Sequence, residues 1–408
     1  MIVTSRASVP SSISDVSVII GKRSLTARIL YYGLVAVLTV DANRIPALLQ
    51  IPDISDTEYK VGDSIEVFGL NYEHQLVQRK TEISAISAIV CERSYTFWRI
   101  SNAEGYSLLD SPKTYGGVLL DPTNDSLFAL WIEVGDNCYW GLDYRYYVFP
   151  IIEALRAKEE VRMWSSGWEF EYIHLARTMD LGMPEHHATR IDTIAKEAGT
   201  GAQVVRAAYN LRHSSTGFNV GDFILEVNED AVGRMADIRH IFYAETASVL
   251  VLRNGEEKEL SVQGKQVPSK GTSKIICWAG ALLQQSPTLA LDQTTLEFTR
   301  ALEKEGIENP DELVYISSLF EGSPSDRVLY AASWLLEIAE HKVRKLDDVV
   351  DIIKSLKGRG EESEEYIRVK LVLGMGYIQI VGLKLNPQFW PAWTLERKGN
   401  KWIRTELE

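Results

Sequence analysis

Residues 111–131 read Ser-Pro-Lys-Thr-Tyr-Gly-Gly-Val-Leu-Leu-Asp-Pro-Thr-Asn-Asp-Ser-Leu-Phe-Ala-Leu-Trp, and this stretch decides the fold prediction. A glycine pair, Gly116 and Gly117, leads into a short apolar run, a polar turn and a second apolar run. Short apolar runs bounded by turn residues are typical of buried β-strands. The stretch therefore predicts two strands joined by a turn in a β-rich domain.

The first 160 residues continue this β-rich pattern. Residues 60–70 contain a Gly-Asp turn followed by an alternating run, and residues 81–90 alternate apolar and polar side chains again. Alternation with a period of two is typical of half-buried strands. Apolar residues at helical spacing from Tyr147 onward predict one helix that closes the unit. Many short strands ended by a helix predict a β-barrel domain over residues 1–160.

A mixed pattern follows, in which strands and short helices alternate over residues 165–262. Val220-Gly-Asp-Phe-Ile-Leu-Glu-Val-Asn228 predicts a turn that leads into a strand. Asn254-Gly255 lies between two alternating runs, and Asn-Gly pairs favour the type I′ turn of a β-hairpin. The remaining chain divides into a polar linker at 263–274, a loosely repeated unit at 275–386, and a tail at 387–408 with Trp390, Trp393 and Trp402.

The composition limits the partners that this chain can have. Of its 408 residues, 45% are apolar and 24% are charged, which is typical of a globular protein. A net charge of −13 argues against nucleic-acid binding, which uses a basic face, and against anionic membrane surfaces. The apolar runs 29–40 and 371–383 are shorter than the ~20 residues that span a bilayer. We therefore expect no nucleic-acid partner and no membrane partner.

The chain contains few residues suited to metal binding or thiol chemistry. Cys91, Cys138 and Cys277 match no metal motif, so we interpret them as small core residues of a reduced intracellular protein. His186 and His187 are adjacent, and neighbouring helical residues point apart, so we interpret them as a solvated loop or helix edge. The sequence thus predicts no metal site and no cofactor.

Several motifs of this chain occur together in one known family. They are Val61-Gly-Asp-Ser-Ile-Glu-Val-Phe-Gly-Leu70, Gly116-Gly-Val-Leu-Leu-Asp121, Trp140-Gly-Leu-Asp143 and Val220-Gly-Asp-Phe-Ile-Leu-Glu-Val-Asn228. In this order the chain resembles the HtrA (DegP-like) serine proteases, and more closely the degenerate C-terminal half of the fungal nuclear, pro-apoptotic HtrA-like proteases. The resemblance implies a mainly β protein with α+β modules. A degenerate trypsin-like double β-barrel would be followed by a PDZ domain at 165–262 and a PDZ-like domain at 275–386.

The resemblance also assigns three positions to a lost catalytic triad. The serine position corresponds to Tyr115, the histidine position to Ala7, and the aspartate position to Gly33 or Leu34. Triad side chains act as a unit, so the resemblance implies a serine protease homologue that does not hydrolyse peptides by itself. By the resemblance, the strand that precedes the histidine turn in this fold is expected to be missing ahead of Ala7. The expectation is either a truncated gene model or a partner half that supplies that strand.

The same resemblance implies a peptide groove in the 165–262 module. PDZ modules bind an extended peptide by strand addition and capture its carboxylate in a nest of backbone amides. The carboxylate loop would lie near Gly167-Trp168-Glu-Phe-Glu-Tyr172, and Gly167 and Trp168 are among the candidate peptide-binding residues. Phe170 and Tyr172 would line the side-chain pocket, with Met179 beside it. The alternative is that these aromatic side chains are ordinary core.

Three functions remain open from the sequence. The favoured one is a non-catalytic scaffolding, regulatory or peptide-recognising partner of an active HtrA-like half, placed by the resemblance in the nucleus, with the cytoplasm as the other possibility. The second is an active serine endopeptidase with a relocated nucleophile, for which Ser107, Ser111 and Ser126 are candidates. The third is an interaction protein that binds protein or peptide ligands on its own.

Overall fold

The computed structural model describes residues 1–6, 8, 9, 13, 15–46, 49–89, 102–134, 138–199, 201, 203–210, 216–267, 269, 271–291, 294–356, 366–398 and 401–407. Ala7 and Cys91, named above, lie outside these residues. The chain divides into a first unit, Met1–Gly271, and a second unit, Thr272–Glu408. None of the helices within the described ranges is long and apolar enough to cross a bilayer.

The first unit begins with a four-stranded antiparallel sheet in the order β1-β4-β3-β2. Its strands are β1 (Ile2–Ser5), β2 (Val16–Ile20), β3 (Arg23–Tyr32) and β4 (Val35–Thr39). The apolar run 29–40 contains β4, in which Val35, Ala36 and Val37 are fully buried. A short 3-10 turn, Ala42–Arg44, follows this sheet.

A closed six-stranded barrel comes next, in the order β10-β7-β6-β5-β8-β9. Its strands are β5 (Ser64–Leu70), β6 (Leu76–Ala88), β7 (Glu104–Leu108), β8 (Gly117–Leu120), β9 (Leu127–Glu133) and β10 (Tyr139–Asp143). The two apolar runs that follow Gly116 form the antiparallel pair β8–β9, as predicted. Two helices, α1 (Tyr144–Tyr147) and α2 (Phe149–Arg156), end the barrel chain. The expected double barrel therefore consists, over the described residues, of one closed barrel and one open sheet.

The rest of the first unit is a mixed α+β module. It contains β11 (Met163–Ser165), β12 (Trp168–His174), α3 (Leu175–Asp180), α4 (Glu185–Ala198), β13 (Gln203–Asn210), β14 (Phe223–Val227), β15 (Asp230–Ala231), a 3-10 turn (Met235–Arg239), α5 (His240–Tyr243), β16 (Thr246–Arg253), β17 (Glu256–Gln263) and β18 (Lys265–Val267). The main sheet runs β12-β13-β14-β16-β17, with β15 paired to β14. Strand β12 is thus an edge strand of this sheet.

The second unit is built on one nine-stranded sheet in the order β25-β24-β22-β21-β20-β19-β26-β27, with β23 paired to β22. Its elements are β19 (Lys274–Trp278), β20 (Ala281–Gln285), α6 (Thr288–Leu291), α7 (Leu296–Lys304), a 3-10 turn (Pro310–Glu312), β21 (Val314–Leu319), β22 (Ser333–Ile338), β23 (His341–Lys342), α8 (Leu346–Ser355), β24 (Tyr366–Leu373), β25 (Ile378–Lys384), β26 (Trp393–Lys398) and β27 (Lys401–Glu406). Apolar side chains of the sheet and of α8 form its largest core cluster. The mainly β class with α+β modules is confirmed.

Two predicted boundaries differ from the structure. The linker predicted at 263–274 contains β18, which pairs with β11, because a short polar strand can be held by backbone hydrogen bonds alone. The tail predicted at 387–408 contains β26 and β27, and β26 pairs with β19 inside the sheet of the second unit. Trp393 lies on β26 and Trp402 on β27, so two of the three tail tryptophan residues belong to an added hairpin.

Candidate functional site

An aromatic cluster occupies the position predicted for a nucleophile. The Tyr115 ring packs edge-on against Tyr72, with 4.5 Å between the ring centroids. The His74 imidazole lies nearly parallel to the Tyr115 ring at 6.0 Å. The Tyr72 hydroxyl lies 2.8 Å from the Tyr139 hydroxyl and 3.2 Å from both carboxylate oxygens of Glu133. These contacts anchor a half-exposed tyrosine by ring packing, and they give it no hydrogen-bonded base.

The backbone amide at this position is already used within the protein. Tyr115 N–H donates to the Leu70 carbonyl at 2.8 Å, which ties the loop to the end of β5. In serine proteases the amide of the nucleophile residue is one of the two that stabilise the oxyanion. An amide that donates to a carbonyl of its own chain is not free to bind an oxyanion, whose donors must point at the developing charge.

The glycine pair after Tyr115 has a packing role of its own. Gly116 has φ = +137°, a backbone conformation that favours glycine. A Cβ on Gly117 would lie 2.1 Å from the Phe68 carbonyl oxygen, because β8 approaches β5 very closely here. Gly117 pairs directly with Gly69, where a Cβ would in turn meet the Gly116 carbonyl at 2.7 Å. Strand packing therefore accounts for the glycine pair without any catalytic role.

The other two predicted triad positions supply no catalytic group. Ala7 lies outside the described residues, but its neighbour Ser8 donates from Oγ to the Tyr115 carbonyl oxygen at 3.3 Å. Leu34 lies in the turn between β3 and β4, half-buried. Burial raises the pKa of Tyr31 to about 12, and the Leu34 backbone hydrogen-bonds to that phenol. An apolar residue beside a neutral phenol provides no carboxylate to orient a histidine.

The serine residues considered as relocated nucleophiles have no base. Ser111 Oγ donates to the Leu108 carbonyl, Ser126 is buried, and Ser107 lies half-buried on β7. Across the part of the chain that the structure describes, no serine, threonine or cysteine side chain hydrogen-bonds to a histidine ring. Activation of a hydroxyl or thiol requires such a contact with an adjacent base.

The outer edge of β12 is covered by a side chain from the barrel. Asn102 Oδ1 accepts from Phe170 N–H at 2.7 Å, and Asn102 Nδ2 donates to the Trp168 carbonyl at 2.8 Å. The Asn102 side-chain amide thus donates one hydrogen bond to the edge of β12 and accepts one from it, as the backbone of an added peptide would. Asn102 has φ = +58°, which asparagine tolerates better than most residues. We call this two-bond contact the Asn102 clasp.

A buried ion pair lies next to the Asn102 clasp. Arg234, which precedes the 3-10 turn Met235–Arg239, donates through Nε to Glu104 Oε1 at 2.8 Å, with Nη2 directed at the same oxygen. Both side chains are almost fully buried, at 6% and 2% exposure. The Tyr172 hydroxyl donates to the second Glu104 oxygen at 2.5 Å and accepts from Met235 N–H at 2.5 Å. The ion pair therefore joins the barrel, β12 and the 3-10 turn in one network.

Burial and charge together set the protonation of Tyr172 and Arg234 in this network. Burial raises the pKa of Tyr172 well above its usual value, and the Glu104 carboxylate raises it further. Burial by itself lowers the pKa of the Arg234 guanidinium, but the charge of Glu104 and its hydrogen bonds raise that pKa overall. Both groups consequently stay protonated at neutral pH, as donors to one carboxylate.

The five predicted peptide-binding residues have different surroundings in the structure. Trp168 and Phe170 are buried in the module core, where both rings pack against Phe218. Tyr172 is half-buried and committed to Glu104. Gly167 N–H is capped by Ser165 Oγ. Met179 is exposed on α3, which packs in a different cluster with Ile173 on the opposite face of β12. Trp168 and Phe170 are thus core side chains, and the binding of a peptide by these five residues stays a prediction.

Three residues that matter here were missed from the sequence: Asn102, Glu104 and Arg234. Asn102 and Glu104 are two residues apart, Arg234 lies 130 residues after Glu104, and no short motif links the three. An asparagine before a predicted strand and a Gly-Arg pair before a helical turn are too common to single out.

The chain is similar in sequence to several known proteins. No protein-family model matches the chain. The pro-apoptotic serine protease NMA111 of Lodderomyces elongisporus is 24% identical over 383 residues, which cover 90% of this chain and 37% of that protein. The chain resembles the fungal HtrA-like serine proteases. NMA111 of Meyerozyma guilliermondii is 23% identical over 431 residues, covering 99% of this chain and 41% of that protein.

Other similar proteins add a module name and a solved structure. The PDZ domain-containing protein C23G3.12c of Schizosaccharomyces pombe is 24% identical over 409 residues, which cover 96% of this chain and 39% of that protein. Among solved structures, the HtrA-type protease AlgW with a decapeptide covers 65% of this chain and 79% of its own, at 15% identity and a TM-score of 0.43. The chain spans between 37% and 41% of the length of the curated relatives it matches.

Proposed function

We propose that this chain is a non-catalytic HtrA-like serine protease homologue with a scaffolding or regulatory role. The observation that carries the proposal is the Tyr115 loop. A phenol stands at the nucleophile position, the Tyr115 amide donates to Leu70, and the nearest imidazole, His74, stacks on the ring. Nucleophile, oxyanion donor and base are therefore all unsuited to acyl transfer, and the loss of any one costs a triad enzyme most of its rate.

A fluorophosphonate probe, which labels activated serine hydroxyls, tests this proposal. We expect no covalent labelling of the full chain under conditions in which trypsin reacts completely, because no described hydroxyl has a histidine partner. The matched variant is Tyr115→Ser, which restores the hydroxyl alone and is also expected to stay unlabelled, since the base and the free amide are still missing. Intact-protein mass spectrometry measures the adduct. Stoichiometric labelling of the unmodified chain would support the rival proposal of a relocated nucleophile.

Peptide binding through the 165–262 module is the second part of the proposal. Strand β12 is an edge strand, and a named relative contains a PDZ domain. The Asn102 clasp uses the donor and the acceptor that an added peptide strand would need at Phe170 and Trp168. We propose that peptides compete with the clasp, so that the barrel regulates access to β12.

Opening the Asn102 clasp is therefore expected to raise peptide affinity. The variant Asn102→Gly keeps a residue that accepts φ = +58° and removes both hydrogen bonds. Two lost competing hydrogen bonds of about 1 kcal/mol each correspond to a gain of roughly ten- to thirtyfold. Fluorescence anisotropy with a pool of ten-residue peptides that end in a free apolar carboxy-terminal residue measures the dissociation constant.

Two controls make the peptide experiment specific. Asn71→Gly removes a half-buried turn asparagine of the barrel and is expected to leave peptide affinity unchanged. The same peptides with an amidated C-terminus are expected to bind more weakly, because a nest of amides recognises a carboxylate. Equal affinity of Asn102→Gly and the unmodified chain would refute competition at β12.

An active HtrA-like protease half is the proposed protein partner, and the nucleus is the proposed location. Both rest on the similarity to the NMA111 proteins, of which this chain matches only part. Co-expression with such a half followed by size-exclusion chromatography tests the partner. Separate elution of the two chains would favour an interaction protein that acts alone.

A further inference from the structure

Three side chains with metal-binding atoms converge in the 165–262 module. They are His186 and His187 at the start of α4, and Glu257 near the start of β17. One ligand atom from each residue lies within 4.8 Å of the others. His187 Nε2 is 2.8 Å from Glu257 Oε1, and His186 Nε2 is 3.9 Å from the same oxygen. Three donors at this spacing could surround a single ion.

The local fold accounts for this convergence. Pro184 caps α4, which places both histidine residues in its first turn. The expected type I′ turn is present at Asn254 and Gly255, with φ values of +53° and +80°. A Cβ at Gly255 would lie 3.7 Å from the Gly182 carbonyl, so the hairpin end packs against the loop that enters α4. The hairpin thereby places Glu257, the second residue of β17, against that helical turn.

The two histidine rings do not diverge as the sequence analysis expected. Their centroids are 4.1 Å apart with 39° between the planes. His187 is almost buried, at 8% side-chain exposure, whereas His186 is largely exposed, at 70%. Adjacent helical residues leave the helix in different directions, which is the basis of the earlier expectation. Here both imidazole rings turn toward the Glu257 carboxylate, which lies outside the helix.

The donor set indicates which ion would bind. Two imidazole nitrogens and one carboxylate oxygen match the three protein ligands of open zinc sites, which take water as the fourth ligand. Imidazole donors suit zinc, copper and nickel, whereas magnesium and calcium prefer oxygen ligands. Hydrogen bonding of His187 to Glu257 already brings two of the donors together.

We propose that His186, His187 and Glu257 form a binding site for a zinc-type divalent cation, which would join the start of α4 to the β16–β17 hairpin. The site shares no residue with the Tyr115 loop or the Asn102 clasp, so it does not depend on the function proposed above. Its exposed side leaves room for a water molecule or for a ligand from another protein. The metal would link the two elements by coordination in addition to their existing hydrogen bond.

Isothermal titration calorimetry of the metal-free full chain with zinc chloride tests the proposal. We expect one zinc ion per chain at this site, and no competition by a large excess of magnesium. Glu257→Gln and His186→Ala are each expected to weaken zinc binding at least tenfold, since even residues that only orient metal ligands affect affinity by about 10- to 100-fold. His341→Ala, an exposed histidine of the second unit, is the matched control and should bind like the unmodified chain.

The outcomes separate a metal site from a simple hydrogen bond. Circular dichroism of each metal-free variant checks its folding, and Glu257→Gln keeps an oxygen that can still accept from His187. Loss of zinc binding in folded Glu257→Gln and His186→Ala, with His341→Ala unaffected, supports the site. Equal zinc affinity in all variants, or no zinc binding by the unmodified chain, would overturn it and leave His187 and Glu257 as a hydrogen-bonded pair.

Discussion

Replacing Arg234 by alanine is expected to lower the free energy of unfolding of the first unit by about 3–5 kcal/mol. Glu104 is 2% exposed and accepts from Arg234 and Tyr172. Without the guanidinium its carboxylate is left as an uncompensated charge in the interior, which is costly. Urea-induced unfolding followed by circular dichroism measures the change. We expect the loss to be accompanied by easier opening of the neighbouring Asn102 clasp.

Two further variants separate the charge from the contacts. The double variant Arg234→Met with Glu104→Gln removes both charges and is expected to recover much of the lost stability, because neutral groups are cheaper to bury. Arg190→Ala removes the half-exposed Arg190–Glu226 pair and should cost about 0–1 kcal/mol. If Arg234→Ala lowers the free energy of unfolding no more than Arg190→Ala does, the buried ion pair does not contribute significantly to the stability of the first unit.

Replacing Trp131 by alanine is expected to lower the free energy of unfolding of the first unit by about 3–5 kcal/mol. The side chain is fully buried in the barrel and stacks on Tyr139 at 5.9 Å between centroids. Its indole Nε1–H donates to the Pro112 carbonyl at 3.1 Å, which fixes the loop that leads to Tyr115. Truncation would leave a large cavity and release that loop. Thermal and urea unfolding of the variant measure the loss of stability.

Trp131→Phe provides the matched comparison for the barrel core. It keeps most of the apolar volume and removes the hydrogen bond to Pro112, so we expect a loss of about 1–2 kcal/mol. The loop before Tyr115 should then exchange its amide hydrogens faster while the strands stay protected. A loss as large as that of Trp131→Ala would show that the loop contact, and not core packing, dominates.

Local patterns predicted much of the fold. The apolar runs around Gly116 and Gly117 formed β8 and β9, and Asn254-Gly255 formed the expected hairpin turn, because these signals depend on a few adjacent residues. The tail containing Trp393 was not predicted to join a sheet. Pairing of β26 with β19 joins residues more than a hundred positions apart, and sequence periodicity does not report such partners.

The candidate sites were less predictable than the fold. Tyr115 could be singled out because it stands at the serine position of a loop that resembles the nucleophile loop of serine proteases. Asn102 and Arg234 instead act through contacts that only the tertiary structure creates. The histidine pair was interpreted from helix geometry alone. Glu257 comes from a hairpin 70 residues away and changes the chemistry available to His187.

The close approach of Gly69 and Gly117 has an evolutionary consequence. Any side chain at Gly117 would push two barrel strands apart, so selection for a folded barrel is sufficient to keep glycine there. The half-exposed neighbour at 115 is under no such packing constraint and can change while the barrel persists. The glycine pair in this chain is thus explained by the close approach of two strands. Whether such a chain can hydrolyse peptides has to be judged from the side chains that would transfer protons.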